Sequence, residues 1–122
     1  MQLQESGEMY LESIYVLSKN GGGVRSIDVC DYLGYSKPSV SRAVGLLRQG
    51  GYIVMDDEGY LSLTEEGSEI AEKMYERHTL LSEFLMRLGV SREVAVEDAC
   101  KIEHDISDQS FEAIKRFAQG AD

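Results

Sequence analysis

The sequence predicts a mainly α protein: an N-terminal winged helix-turn-helix followed by a helical C-terminal part. Three observations carry this. Two short helical patterns are separated by Gly34-Tyr35, and the second opens with Ser36-Lys37-Pro38. Two β-prone runs flank Asp56-Asp57-Glu58-Gly59 immediately afterwards. From residue 65 onward the apolar residues recur only at helical spacing.

Residues 7–19 form an amphipathic helix, with Tyr10, Ile14 and Leu17 on its stripe and Asn20-Gly21-Gly22-Gly23 as its stop. Ser26 is the expected N-cap of a short helix over 27–33, with Val29, Cys30 and Leu33 inward. Ser36 caps the next helix, 37–49, in whose first turn Pro38 is tolerated. Val40, Val44 and Leu47 are its inward side. Tyr52 to Met55 and Tyr60 to Leu63 are β-prone runs that read as the strands of a hairpin, which adds the wing. Thr64 caps a long helix to about Leu88, and Gly89-Val90-Ser91 ends it. A helix over 92–105 follows, then one capped by Ser107 and running to about Ala118. The domain border is placed at Thr64, giving 1–64 and 65–122, with no flexible joint.

The chain has 122 residues, 43% of them hydrophobic, in the range of an ordinary globular domain. No apolar run approaches the ~20 residues of a membrane span. The first residues lack a basic segment followed by an apolar one, and two cysteines are too few for a disulfide framework, so a cytoplasmic protein is expected. The net charge of −10 argues against nucleic acid as a partner, but its distribution softens the point. Residues 1–64 carry 5 Lys+Arg and 8 Asp+Glu, a charge of −3, whereas 65–122 carry 7 and 14, a charge of −7.

The helix-turn-helix would set Lys37, Pro38, Ser39, Ser41 and Arg42 against base edges or nearby phosphates. Arg48 would contact a phosphate further along; Arg25 and Lys19 flank the surface, and Ser26 and Ser36 stand at its helix starts. The acidic wing tip, Asp56-Asp57-Glu58, would repel phosphate, and winged helices also serve as protein-interaction modules. A second constellation lies in Cys100-Lys101-Ile102-Glu103-His104. Positions three and four apart share a helix face, so Cys100, Glu103 and His104 project together as thiolate, carboxylate and imidazole. Met9 and Glu12 share a face near the start, and His78 completes the set of donors. Borderline divalent metals accept all these ligand types. The plain alternative has His78 as a satisfied core histidine, Cys100 as a small buried hydrophobe, Met9 as core filler, and Glu12 and Glu103 solvated. The residues by themselves leave both readings open.

Four segments together resemble the diphtheria toxin repressor family of metal-dependent transcriptional regulators. They are Glu8-Met9-Tyr10-Leu11-Glu12-Ser13-Ile14-Tyr15, Ser36-Lys37-Pro38-Ser39-Val40-Ser41, Arg77-His78-x-Leu80-Leu81, and Glu97-Asp98-Ala99-Cys100-x-x-Glu103-His104. The likeness is to the short, manganese transport regulator-like branch, without the SH3-like domain. It implies about two metals per subunit. One site would use Met9, Cys100, Glu103 and His104; the other Glu12 and His78, sharing Cys100 or Glu103. Met9 and Cys100 match iron-responsive members, whereas Glu12 with His78 matches the manganese type. Sulfur donors disfavour Mn²⁺, so Fe²⁺ is expected first and Mn²⁺ second, with Co²⁺, Ni²⁺ or Zn²⁺ able to substitute.

The expectation is a homodimeric, metal-activated repressor of metal-uptake genes on double-stranded palindromic operator DNA, with no membrane and no small organic substrate. Its dimer interface would use Val94, Val96, Ile102, Ile106, Phe111, Ile114 and Phe117. An enzyme with a catalytic zinc on Cys100, Glu103 and His104 is the first rival, but no positioned base is legible. A winged-helix regulator or interaction module answering to another ligand, without metal, is the second.

Overall fold

The structure, a computed structural model, describes residues 5–120. Its elements run α1 (Glu5–Ser18), β1 (Val24–Arg25), α2 (Ser26–Leu33), α3 (Lys37–Gln49), β2 (Ile53–Met55), β3 (Tyr60–Leu63), α4 (Glu65–Arg87), α5 (Arg92–Asp105) and α6 (Asp108–Ala118). They form two compact units, one up to Lys73 and the other from Met74. By compactness the division falls within α4, nine residues beyond Thr64. The first turns of that helix put Ile70 and Ala71 into the N-terminal core, which draws them into the first unit.

The first unit is a winged helix. α1 begins earlier than the periodicity suggested, with Glu5 and Glu8 in its first turn, where carboxylates suit the helix dipole. Tyr10, Leu11 and Ile14 are its buried side, and they meet Val29 and Cys30 of α2 and Val40, Val44 and Leu47 of α3 in one core. The N-cap of α2 is Arg25, not Ser26. The Asp28 carboxylate turns back to accept the Arg25 backbone N–H at 2.8 Å, which satisfies the helix start without a serine cap. Gly34 closes α2 with φ 73°, a left-handed conformation that favours glycine. Ser36 caps α3 as expected, accepting the Ser39 N–H at 3.3 Å.

The hairpin pairs β2 with β3 antiparallel, Val54 opposite Ser62. Its turn is organised by Asp56, whose carboxylate accepts the backbone N–H groups of Glu58 and Tyr60, each at 2.9 Å. The sequence reading missed β1, which pairs Val24 with Leu61 and completes the sheet order β1-β3-β2. Two residues are too few to leave an alternating pattern.

Thr64 begins α4 with two hydrogen bonds: its hydroxyl donates to the Gly51 carbonyl at 2.7 Å and accepts the Gly67 N–H at 3.2 Å. This brings the helix so near the strand entry that a Cβ on Gly67 would stand 2.0 Å from the Tyr52 carbonyl oxygen. Gly67→Ala is therefore expected to destabilise the protein by about 1–3 kcal/mol, since backbone has to yield. Gly45→Ala, on α3 with nothing within 4 Å of the added carbon, should instead stabilise by up to about 1 kcal/mol. Urea unfolding of the two variants beside the wild type checks the opposite signs.

In the second unit, α5 and α6 start at the caps Ser91 and Ser107, which accept the N–H groups of Val94 at 3.4 Å and Ser110 at 3.1 Å. Leu81, Ala99 and Phe111 are its core, with Leu80, Ile102, Ile106 and Ile114 packed on them. Of the residues expected at the dimer face, Phe111 is buried in this core and Ile102, Ile106 and Ile114 are half-buried against it. Val94 is 49% and Phe117 69% exposed, joined by Leu88 at 65%. Among the described residues no helix is long and apolar enough to cross a membrane.

Candidate metal centre and nucleic-acid interface

On α5 the buried residues are Ala95, Ala99 and Glu103, spaced by four. Two small side chains followed one turn later by a carboxylate put Glu103 on the inward side, where it is 1% exposed. A buried carboxylate requires partners. Glu103 Oε2 takes His78 Nδ1, from α4, at 2.9 Å. The other oxygen, Oε1, stands 3.5 Å from His104 Nε2. Cys100 is exposed, and its Sγ lies 3.7 Å from His78 Nδ1. One ligand atom from each of His78, Cys100 and Glu103 falls within 4.8 Å of the other two.

The structure brings His78 together with Cys100 and Glu103, the two residues it was expected to share. Helical spacing set Cys100, Glu103 and His104 on one face; within it Glu103 is turned inward, between two imidazoles, and Cys100 stands beside His78. The plain reading fails on particulars: Cys100 is not buried and Glu103 is not solvated. Imidazole, thiol and carboxylate at these separations fit a divalent cation, whose donors at about 2.0–2.3 Å stand at most about 4.6 Å apart.

The hydrogen bonds to Cys100 and then Glu103 raise the His78 imidazolium to about 10, although burial opposes the charge. Before metal arrives, His78 is therefore protonated at neutral pH. A cation has to displace that proton, so its affinity should rise with pH up to about 10. Calorimetry in two buffers of different ionisation enthalpy, at pH 7, should show proton release on Co²⁺ binding. In His78→Gln that release should be smaller.

Met9 and Glu12 lie in the first unit, half-buried on α1. The Met9 thioether accepts the Tyr35 hydroxyl at 3.7 Å.

On the winged helix, Lys37, Pro38, Ser39, Ser41, Arg42 and Arg48 are all exposed. Ser26, Lys37 and Ser41 line one cleft of about 280 Å³ with Ile27 and Cys30. Arg48 lines a different groove, beside Ile53, Val54 and Met55. Ser36 has its hydroxyl engaged in the cap, donating to Ser39 Oγ at 2.9 Å. The Arg25 guanidinium lies 4.3 Å over the Tyr60 ring, so the wing's own strand holds it in place. Leu46, one turn beyond Arg42, is 60% exposed and was not singled out from sequence. Its signal was there: it falls outside the stripe of Val40, Val44 and Leu47.

Residues 2–61 match the family described as iron dependent repressor, N-terminal DNA binding domain. Residues 64–120 match iron dependent repressor, metal binding and dimerisation domain. The chain belongs to the iron-dependent repressor family. These are metal-responsive, DNA-binding transcriptional regulators and not enzymes. Transcriptional regulator MntR of Escherichia coli O6:H1 is 36% identical over 110 residues, which are 90% of this chain and 71% of that protein. An HTH-type transcriptional regulator of Methanocaldococcus jannaschii is 32% identical over 96% of this chain and 95% of its own length. The structure of the manganese regulator SloR superposes with TM-score 0.84 at 28% identity, covering 98% of this chain. The repressor described here spans 55% of that longer chain.

Proposed function

We propose that this iron-dependent repressor family member is a cytoplasmic, homodimeric repressor of metal-uptake genes, activated by Fe²⁺ and less well by Mn²⁺. The observation that carries the metal reading is the juxtaposition of His78, Cys100 and Glu103. His104, through Glu103, and Met9 and Glu12 are the further ligand candidates, for about two ions per subunit. The cation supplies positive charge against the Glu103 carboxylate and the Cys100 thiolate. Each residue has a distinct part. Glu103 presents both oxygens from a buried position, His78 gives up its proton, and Cys100 offers sulfur at the solvent side. The thiolate and the thioether of Met9 favour Fe²⁺ over Mn²⁺.

On DNA, Lys37, Ser39, Ser41 and Arg42 occupy the first two turns of the recognition helix and face base edges. Leu46 suits a thymine methyl, Arg25 and Arg48 suit phosphates, and the acidic wing tip stays off the backbone. A two-fold dimer sets two such helices on half-sites about one DNA turn apart. The test is fluorescence anisotropy with a panel of palindromic uptake-promoter DNA. Fe²⁺ under anaerobic conditions should switch binding on and a chelator should reverse it. Metal-independent binding to the same DNA would overturn the reading.

A further inference from the structure

Arg77 is 4% exposed, and its guanidinium is committed to one place in the second unit. Nη1 donates to the backbone carbonyls of Glu103 at 2.9 Å and Ile106 at 2.8 Å. Nη2 donates to Asp108 Oδ1 at 2.6 Å. The cation lies 5.5 Å from the centre of the Phe111 ring. Nε is buried with no hydrogen-bond partner among the described residues, so the side chain is aimed at the carbonyls at the expense of its remaining donor.

These partners are not scattered. The Glu103 and Ile106 carbonyls belong to the end of α5, where a helix leaves its last C=O groups unpaired. Asp108 and Phe111 belong to the first turn of α6. One side chain therefore fixes the end of the ligand-bearing helix, the corner after it, and the start of the next helix. It does so from the residue beside His78. A buried cation of this kind adds little stability that an apolar side chain of similar volume could not supply. What it adds is geometry.

We propose that Arg77 is the positioning residue of the metal centre, which sets Glu103 and Cys100 in register with His78; this rests on reading those three as ligands. The carbonyl that Arg77 holds and the carboxylate that meets His78 belong to the same residue. Holding the carbonyl at 2.9 Å fixes the backbone from which Glu103 Oε2 reaches His78 Nδ1 at 2.9 Å. Asp108, itself 75% exposed, aligns the guanidinium fork from the other side. Without Arg77 the last turn of α5 is left to fray, and Glu103 on it, with Cys100 one turn before, loses its spacing to α4. A purely structural arginine would affect melting only. A positioning arginine also affects the ion's coordination while the fold persists.

The experiment is anaerobic titration of the full chain with Co²⁺. The sulfur-to-cobalt charge-transfer band reports Cys100, and the visible bands report coordination geometry. Arg77→Lys keeps the buried charge but loses the fork. Asp108→Asn keeps the size of the side chain but takes the charge from the exposed end of the network, and it is expected to fold. Arg77→Lys should weaken Co²⁺ binding by about 10–100-fold and Asp108→Asn by less, in keeping with losses seen when residues that orient metal ligands are replaced. At saturation both should show altered visible bands with the wild-type helical circular dichroism. Wild-type affinity and spectrum in both variants, with only a lower melting temperature, would overturn the proposal. If Arg77→Lys fails to fold, an unchanged titration of Asp108→Asn overturns it by itself. No visible or charge-transfer bands at saturating Co²⁺ in the wild-type protein would instead remove the metal reading, and the role of Arg77 with it.

Discussion

Glu103→Gln should leave the fold in place and remove the metal response of DNA binding. Glu103 is the pivot of the centre: one oxygen meets His78 at 2.9 Å and the other stands 3.5 Å from His104. The amide keeps its volume, so no cavity opens at a position that is 1% exposed. It loses the charge and one of the two acceptors. An amide oxygen is a poor ligand for a transition metal beside imidazole and thiolate. The expected loss exceeds that of a residue that only orients a ligand, so metal affinity should fall by about a hundredfold or more, about 2.7 kcal/mol. His78 should respond as well. With the carboxylate neutralised, one of the two hydrogen-bonding groups that hold up its proton weakens, and its raised titration should move back toward the ordinary histidine range. NMR titration of the His78 ring in metal-free protein reads that movement, and anisotropy reads the metal response. A variant that still switches on with Fe²⁺ at wild-type concentrations would show that Glu103 is not a ligand.

Much of the fold was legible because its signals are local. Ser36, Ser91 and Ser107 announce helix starts by a hydroxyl that reaches the third residue on, and Gly34 announces a stop by its conformation. Where the decisive partner is distant, local reading stops. Nothing near Val24 says that Leu61 will pair with it. Arg25 became a cap because Asp28 turned back, although Ser26 had the better residue type. The candidate ligands were named by residue type, and the sharing of Cys100 or Glu103 with His78 came only from the family resemblance, since no local pattern links α4 to α5. Helical spacing treats Cys100, Glu103 and His104 alike, and the buried stripe through Ala95 and Ala99 decides that Glu103 faces inward. Arg77 had a signal that went unused: it falls between Met74 and Leu81 at helical spacing, a charged residue on a stripe of core positions. A cation there has to find carbonyls and carboxylates, and the end of a neighbouring helix is where unpaired carbonyls are found.

Metal choice should follow the two sulfur atoms. A thiolate and a thioether favour the later transition metals, whereas Mn²⁺ prefers oxygen. Met9→Asp with Cys100→Glu would make every candidate ligand oxygen or nitrogen. The double variant should then answer better to Mn²⁺, relative to wild type, and less well to Fe²⁺ and Co²⁺. Met9 brings a second consequence, because its thioether accepts the Tyr35 hydroxyl at 3.7 Å in the turn before the recognition helix. An aspartate is shorter but a stronger acceptor, so it can keep that partner. Cys100 is the exposed cysteine, 3.7 Å from the His78 imidazole, and is the thiol open to oxidants in metal-free protein. The variant should therefore also lose sensitivity to peroxide. Cys30 is 7% exposed in the winged-helix core and should contribute nothing to that sensitivity. Both effects are read by anaerobic activation of DNA binding with Fe²⁺, Mn²⁺, Co²⁺ and Zn²⁺, before and after peroxide, in the two proteins side by side. An unchanged order of metals would show that sulfur does not set the selectivity, and the preference for iron would lose its physical basis. If the double variant is as sensitive to peroxide as wild type, the reactive thiol is not Cys100.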